Sequence, residues 1–141
     1  MSGQDPRNLF RFVEAQDGVY ETALTELIAG QKRSHWMWFV FPQIAGLGLS
    51  ALAQYYAIES RAEAREYLDD PVLGPRLREC TQAMLRHPVC TAEAILGTVD
   101  ALKFRSSMTL FDAVEPDGVF ARALATFYNG ARDERTMALL N

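Results

Sequence analysis

The chain has 141 residues, 49% hydrophobic and 23% charged, with a formal net charge of -4. That length and apolar content suffice for one domain with a buried core and without disulfide or metal staples. The composition excludes a disordered tail and a broad cationic surface, so a nucleic acid polymer is not expected as a partner.

In chain order, Asp17 is placed to cap a first helix in which Tyr20, Ala23, Leu24, Leu27 and Ile28 form one stripe. Gly30 stands where a left-handed closing residue belongs. Trp36 to Ile44 is the one run with the aromatic and branched content of a strand, and Pro42 interrupts it. Strand or helix, both of its sides are apolar, which predicts a surrounded central segment. Ser50 opens a helix over SALAQYYAI, and a capping box from Ser60 to Glu63 opens the charged RAEAREYL. After Pro71, the residues Leu73, Leu77, Cys80 and Met84 recur at helical spacing until Pro88 forces a break, which assigns Cys80 to the core. Thr91 is placed to cap a short segment ending near Gly97, and VDALKFRSSMTLFDAV sets Phe104, Met108 and Phe111 on one face. Asp117 is placed to cap the next helix, with Phe120, Leu124 and Phe127 inward and Gly130 closing it. A last helix runs from Asp133 to Leu139 and Leu140. With no repeat or linker, the expectation is one all-α domain over residues 1–141, several short helices around a buried aromatic segment.

The opening MSGQDPRNLF has no basic flank followed by an apolar stretch, and Trp36 to Phe41 is too short to cross a bilayer. A cytoplasmic protein with no membrane partner is expected. Cys80 and Cys90 lack both C-x-x-C spacing and the density of a disulfide scaffold, no H-E-x-x-H, P-loop, G-x-S-x-G or zinc spacing occurs, and no metal or cofactor is expected.

Three stretches carry candidate chemistry. In the first, Lys32, Arg33, Ser34 and His35 precede the aromatic run, which would hold them rigidly at its mouth. His35 there is either a proton-transfer group or a satisfied structural histidine. Trp36 is either core or a platform for a planar ring. The second, GLGLSA from Gly46, matches the loose dinucleotide pattern, but a Rossmann unit needs a clean preceding strand and parallel partners. A phosphate-binding turn ahead of the Ser50 helix and a plain tight turn both stay open. In the third, Asp100, Lys103 and Ser107 line up at i, i+3 and i+7 beside the Phe104 stripe, where core meets solvent. Of fourteen basic residues, only Lys32 and Lys103 are lysine, the type whose compact charge responds to burial. The alternative is an ordinary Asp100–Lys103 surface pair. His87, before Pro88, is read as a partner for terminal helix carbonyls.

The blocks ALTELIAGQKRSHWMWFVFPQIAGLGLSALAQYYAI, EAREYLDDPVLGPRLREC and GTVDALKFRSSMTLF cover much of the chain, HWMWFVFPQ being the most specific part. On these the chain resembles a widespread microbial family of unknown function, mainly helical, whose members often carry the label "calpastatin". The resemblance implies a compact helical fold and no established catalytic residue. The label itself conflicts with the composition, because inhibitors of that kind are polar, disordered chains. A more distant analogy, to small helical N-glycosidases of nucleotide-like substrates, brings no catalytic position with it.

The expected function is therefore binding of a small anionic, nucleotide-like ligand in a polar cleft where the His35 end of the run meets the Lys103 helix. Lys32, Arg33, Lys103 and Ser107 would bind the anion and Trp36 would stack. His35 and Asp100 would move protons if hydrolysis or N-glycosidic cleavage takes place. The alternative is a protein-interaction or regulatory module in which the same residues organise the fold.

Overall fold

The structure, a computed structural model, describes residues 9–140; the segment MSGQDPRN, read above for a targeting signal, lies outside the described residues. Ten helices occur among the described residues, and no paired strand beyond one isolated bridge. They are α1 (Phe10–Gln16), α2 (Tyr20–Ala29), α3 (Met37–Val40), α4 (Ala51–Tyr55) and α5 (Arg61–Asp69), followed by α6 (Leu73–Leu85), α7 (Ala92–Leu96), α8 (Thr98–Val114), α9 (Val119–Tyr128) and α10 (Glu134–Leu140). Among the described residues no helix is long and apolar enough to cross a membrane.

The longest helix, α8, packs against α5, α7, α9 and α10. Its Phe104, Met108 and Phe111 are fully buried, as the stripe predicts. Two runs of rings meet there. One passes from Phe12 to Tyr67 (5.1 Å), Phe111 (5.4 Å) and Phe120 (5.7 Å). The other passes from Trp36 to Phe41 (6.3 Å), Phe104 (4.9 Å) and Phe127 (6.1 Å). Edge and tilted ring contacts of this kind add roughly 0.5–1.5 kcal/mol each beyond area burial.

Several helix ends follow from local chemistry. Ser50, Ser60 and Thr91 accept from Ala53 N, Glu63 N and Ala94 N, and Asp133 Oδ2 accepts from Thr136 N (2.9 Å). The capping box is shifted: Glu63 Oε1 accepts from Glu59 N (2.7 Å) instead of the Ser60 N–H. Gly30 takes the left-handed conformation (φ 80) that closes α2.

Three expectations are corrected. Asp17 does not cap α2; it closes α1, a helix absent from the sequence reading, by donating its N–H to Glu14 O (3.2 Å), and Val19 takes the α2 N-cap position. Asp117 is itself left-handed (φ 65) and leaves the α9 N-cap position to Gly118. Asn129 (φ 55) and Gly130 (φ 80) together close that helix. The aromatic run, left open above between strand and helix, is no strand, and it is not surrounded along its whole length as expected. It makes one turn, α3, then extends past the buried Pro42 to a parallel bridge, where Ile58 N donates to Gln43 O and Ala45 N to Ile58 O, both at 2.8 Å. Trp36, Met37, Val40, Phe41 and Ile44 are buried, whereas Trp38 and Phe39 are half-buried.

Candidate functional site

The segment ahead of the aromatic run is held by a residue the sequence reading passed over. Glu26 sits on the buried face of α2 and gathers four donors: Oε1 accepts from Arg33 N (2.8 Å), Ser34 N (3.1 Å) and Trp36 Nε1 (2.9 Å), and Oε2 from the Ser34 hydroxyl. Burial opposes its ionisation, but the bonds from Ser34, Arg33 and Trp36 outweigh it and hold the carboxyl at about 2. The only local signal was a glutamate beside Leu27 on an apolar stripe, which propensity alone reads as a solvated position.

Lys32 enters this segment by donating its backbone N–H to Ile95 O of α7 (2.8 Å), which carries its side chain to the start of α8. Lys32 Nζ pairs with Asp100 Oδ2 (2.9 Å), donates to Ser34 O (2.6 Å) and stands 4.9 Å from the Trp36 ring centroid. Lys103 Nζ lies 3.6 Å from Asp100 Oδ1 and 5.0 Å from the Trp38 centroid. The two lysines of the chain thus share one carboxylate, and each covers one indole. The Lys32 side chain is buried and that of Lys103 is partly open to solvent.

The other predicted residues separate. Arg33 is exposed and donates to Gln31 Oε1 (3.0 Å). His35 is exposed. Trp36 is fully buried and cannot stack on a ligand in this conformation. Ser107 is also fully buried, its hydroxyl without a partner, so the polar line that begins at Asp100 runs into the core within two turns. His87 serves α2 and not its own helix: Nε2 donates to Leu27 O (2.9 Å) across the chain.

Lys103 opens instead onto a hollow of about 380 Å³ between the 43–48 loop, α8 and the start of α10. Leu47, Val99 and Leu102 give it apolar walls; Gln43, Lys103, Ser106, Asp133 and Arg135 supply the polar groups. His35, Asp100 and Lys32 are not in its lining. The α10 wall is fastened to α8. Arg105 donates to Ala131 O (2.9 Å) and Arg132 O (3.0 Å), Asp133 N donates to Thr109 Oγ1 (2.9 Å), and Arg132 Nη2 pairs with the buried Asp112 (2.6 Å). A second hollow of about 310 Å³ lies across the same loop and shares Gln43 and Gly48 with the first.

The GLG stretch resolves as a close-approach turn. A Cβ on Gly48 would stand 2.4 Å from Ala53 Cβ, and one on Gly46, itself at φ 103, would stand 3.1 Å from Leu139 Cδ2. No group of three or more His, Cys, Asp or Glu capable of holding a metal occurs among the described residues.

A comparison with curated proteins finds no match. The chain is similar to the conserved hypothetical protein Rv1873 from Mycobacterium tuberculosis, known from a crystal structure, at 51% identity and a TM-score of 0.89, over 96% of this chain and 98% of that one. A family model described as "Protein of unknown function (DUF1810)" matches residues 6–140. Fold and sequence thus agree along nearly the whole chain, which belongs to the DUF1810 family of unknown function.

Proposed function

We propose that this domain binds a small anionic, nucleotide-like molecule in the 380 Å³ hollow, with Lys103 and Arg135 facing its charge. The observation that carries the reading is two cations and three apolar side chains converging on one concavity, whose volume lies at the small end of the roughly 300–1,000 Å³ of ligand sites. Lys32 and Trp36 act behind the site. Lys32 supplies a second ammonium to Asp100, which leaves Lys103 less tightly bound to that carboxylate and available to a ligand.

The reading is binding without turnover. Asp100 has an ammonium at each oxygen, and neither it nor His35 is in the lining of the hollow. A second reading, a protein-interaction surface, draws on Val99 and Leu102, apolar side chains 65% and 61% exposed at the same rim.

A thermal-shift screen over inorganic phosphate, nucleoside monophosphates, NAD and ADP-ribose tests the choice. A ligand at a hundred times its Kd stabilises the native state by about 2.7 kcal/mol. Lys103→Ala and Arg135→Ala should abolish the shift, and His35→Ala should leave it. A shift that persists in both cation variants refutes the site, and no shift with any anion favours the interaction surface.

A further inference from the structure

Gln43 lines both hollows, and the only other residue their linings share is Gly48. Its backbone is fixed: Pro42 precedes it in a buried position, its carbonyl accepts from Ile58 N, and the next residue but one donates to Ile58 O, both bonds at 2.8 Å. Its side-chain amide enters no hydrogen bond among the described residues. The neighbouring polar groups are engaged. Gln54 Nε2 donates to Leu49 O (2.9 Å), Ser106 Oγ to Leu102 O (3.1 Å), and Asp133 Oδ2 accepts from Thr136. A half-buried primary amide on a rigid backbone, with donor and acceptor both unused, is suited to a ligand edge that presents an acceptor and a donor side by side.

We propose that Gln43 is the specificity-determining residue of this site, reading the hydrogen-bonding edge of a heterocyclic base whose attached phosphate lies at Lys103 and Arg135 in the same, larger hollow. This rests on the binding function proposed above and names its ligand class, a nucleoside monophosphate. Amide-to-base pairing with two bonds discriminates by roughly tenfold or more.

Isothermal titration with AMP, GMP, CMP, UMP and inorganic phosphate tests this on the wild-type chain, Gln43→Ala and the near-isosteric Gln43→Met. At least one nucleotide should bind the wild type about tenfold or more tighter than phosphate. Both Gln43 variants should lose that advantage while keeping the affinity for phosphate, and Lys103→Ala should lose both ligands. Melting of each variant near the wild-type temperature shows that the fold persists, since the amide holds nothing in place. A nucleotide affinity no better than that of phosphate, or one unchanged in both Gln43 variants, overturns the role of Gln43 and leaves the anion site standing. Absence of binding by phosphate and by every nucleotide overturns both.

Discussion

Replacing Glu26 by glutamine should remove a block of acid sensitivity from the folded domain. Its carboxyl is held at about 2 against an ordinary 4.5, so it binds a proton less readily folded than unfolded. The stabilisation is therefore complete above pH 4.5 and is lost as pH falls towards 2. A depression of that size corresponds to roughly 3 kcal/mol, and for a chain of this length to about 10 °C in Tm. The amide introduced by Glu26→Gln keeps an acceptor oxygen but has no charge and cannot serve four donors, among them the indole N–H of the fully buried Trp36. At neutral pH the variant should be less stable by about 1–3 kcal/mol. Reversible urea unfolding of both proteins at intervals from pH 5 to 2 is the assay. Other carboxylates, including Glu115, which its Arg78 and Arg65 partners hold low, titrate in both proteins and cancel in the difference. That difference should shrink steadily towards pH 2. A gap constant across the range would refute the assignment of the shift to Glu26.

Ser107→Ala should leave stability unchanged or raise it by up to about 1 kcal/mol, because the hydroxyl is buried without a partner; a urea midpoint lowered by more than that contradicts the placement. The same variant should retain any ligand-induced thermal shift. Gly48→Ala should cost about 1–3 kcal/mol, since the new methyl meets Ala53 Cβ at 2.4 Å, and calorimetry that finds no loss would show that the turn has room. A disulfide reagent should label one thiol quickly in the native protein, Cys90, and the second only in denaturant. Cys80 is fully buried, and burial pushes its thiol up to about 12. Two fast equivalents would exclude this packing.

What the sequence made legible was periodicity and short-range capping. Leu73, Leu77, Cys80 and Met84 sit at the spacing of one helix face and are all buried, and Ser50, Ser60 and Thr91 cap the helices they precede. The two aspartates read as caps failed because capping depends on backbone conformation as well as residue type. Asp117 is left-handed, and Asp17 lies at the end of a helix whose apolar face is interrupted by the buried Arg11 and Gln16. Arg11 donates to Tyr55 O (2.8 Å) and Ala57 O (2.7 Å), partners more than forty positions away that no local pattern discloses. The candidate site divides in the same way. The Asp100–Lys103 pair was legible from i, i+3 spacing, but Ser107 was misplaced because the second half of α8 is buried on nearly all sides, so Ser106 lines the hollow instead. Glu26 went unnoticed because its partners, Arg33, Ser34 and Trp36, are brought to it by the turn after α2 and not by helical spacing, and Gln43 and Arg135 because the hollow they line joins segments far apart in the chain.

The two lysine–tryptophan contacts give the molecule a reporter of its own. Trp36 is sealed in the core beneath the buried Lys32 side chain, whereas Trp38 is half-buried and faces the ammonium of Lys103, the group proposed above to meet an anion. An anion that draws Lys103 away removes a positive charge from above one indole and leaves the other undisturbed. Intrinsic fluorescence then carries a constant component and a ligand-dependent one, and Trp36→Phe isolates the second. Occupancy of the hollow is in that case readable from emission alone, without a label and without knowledge of the ligand's identity.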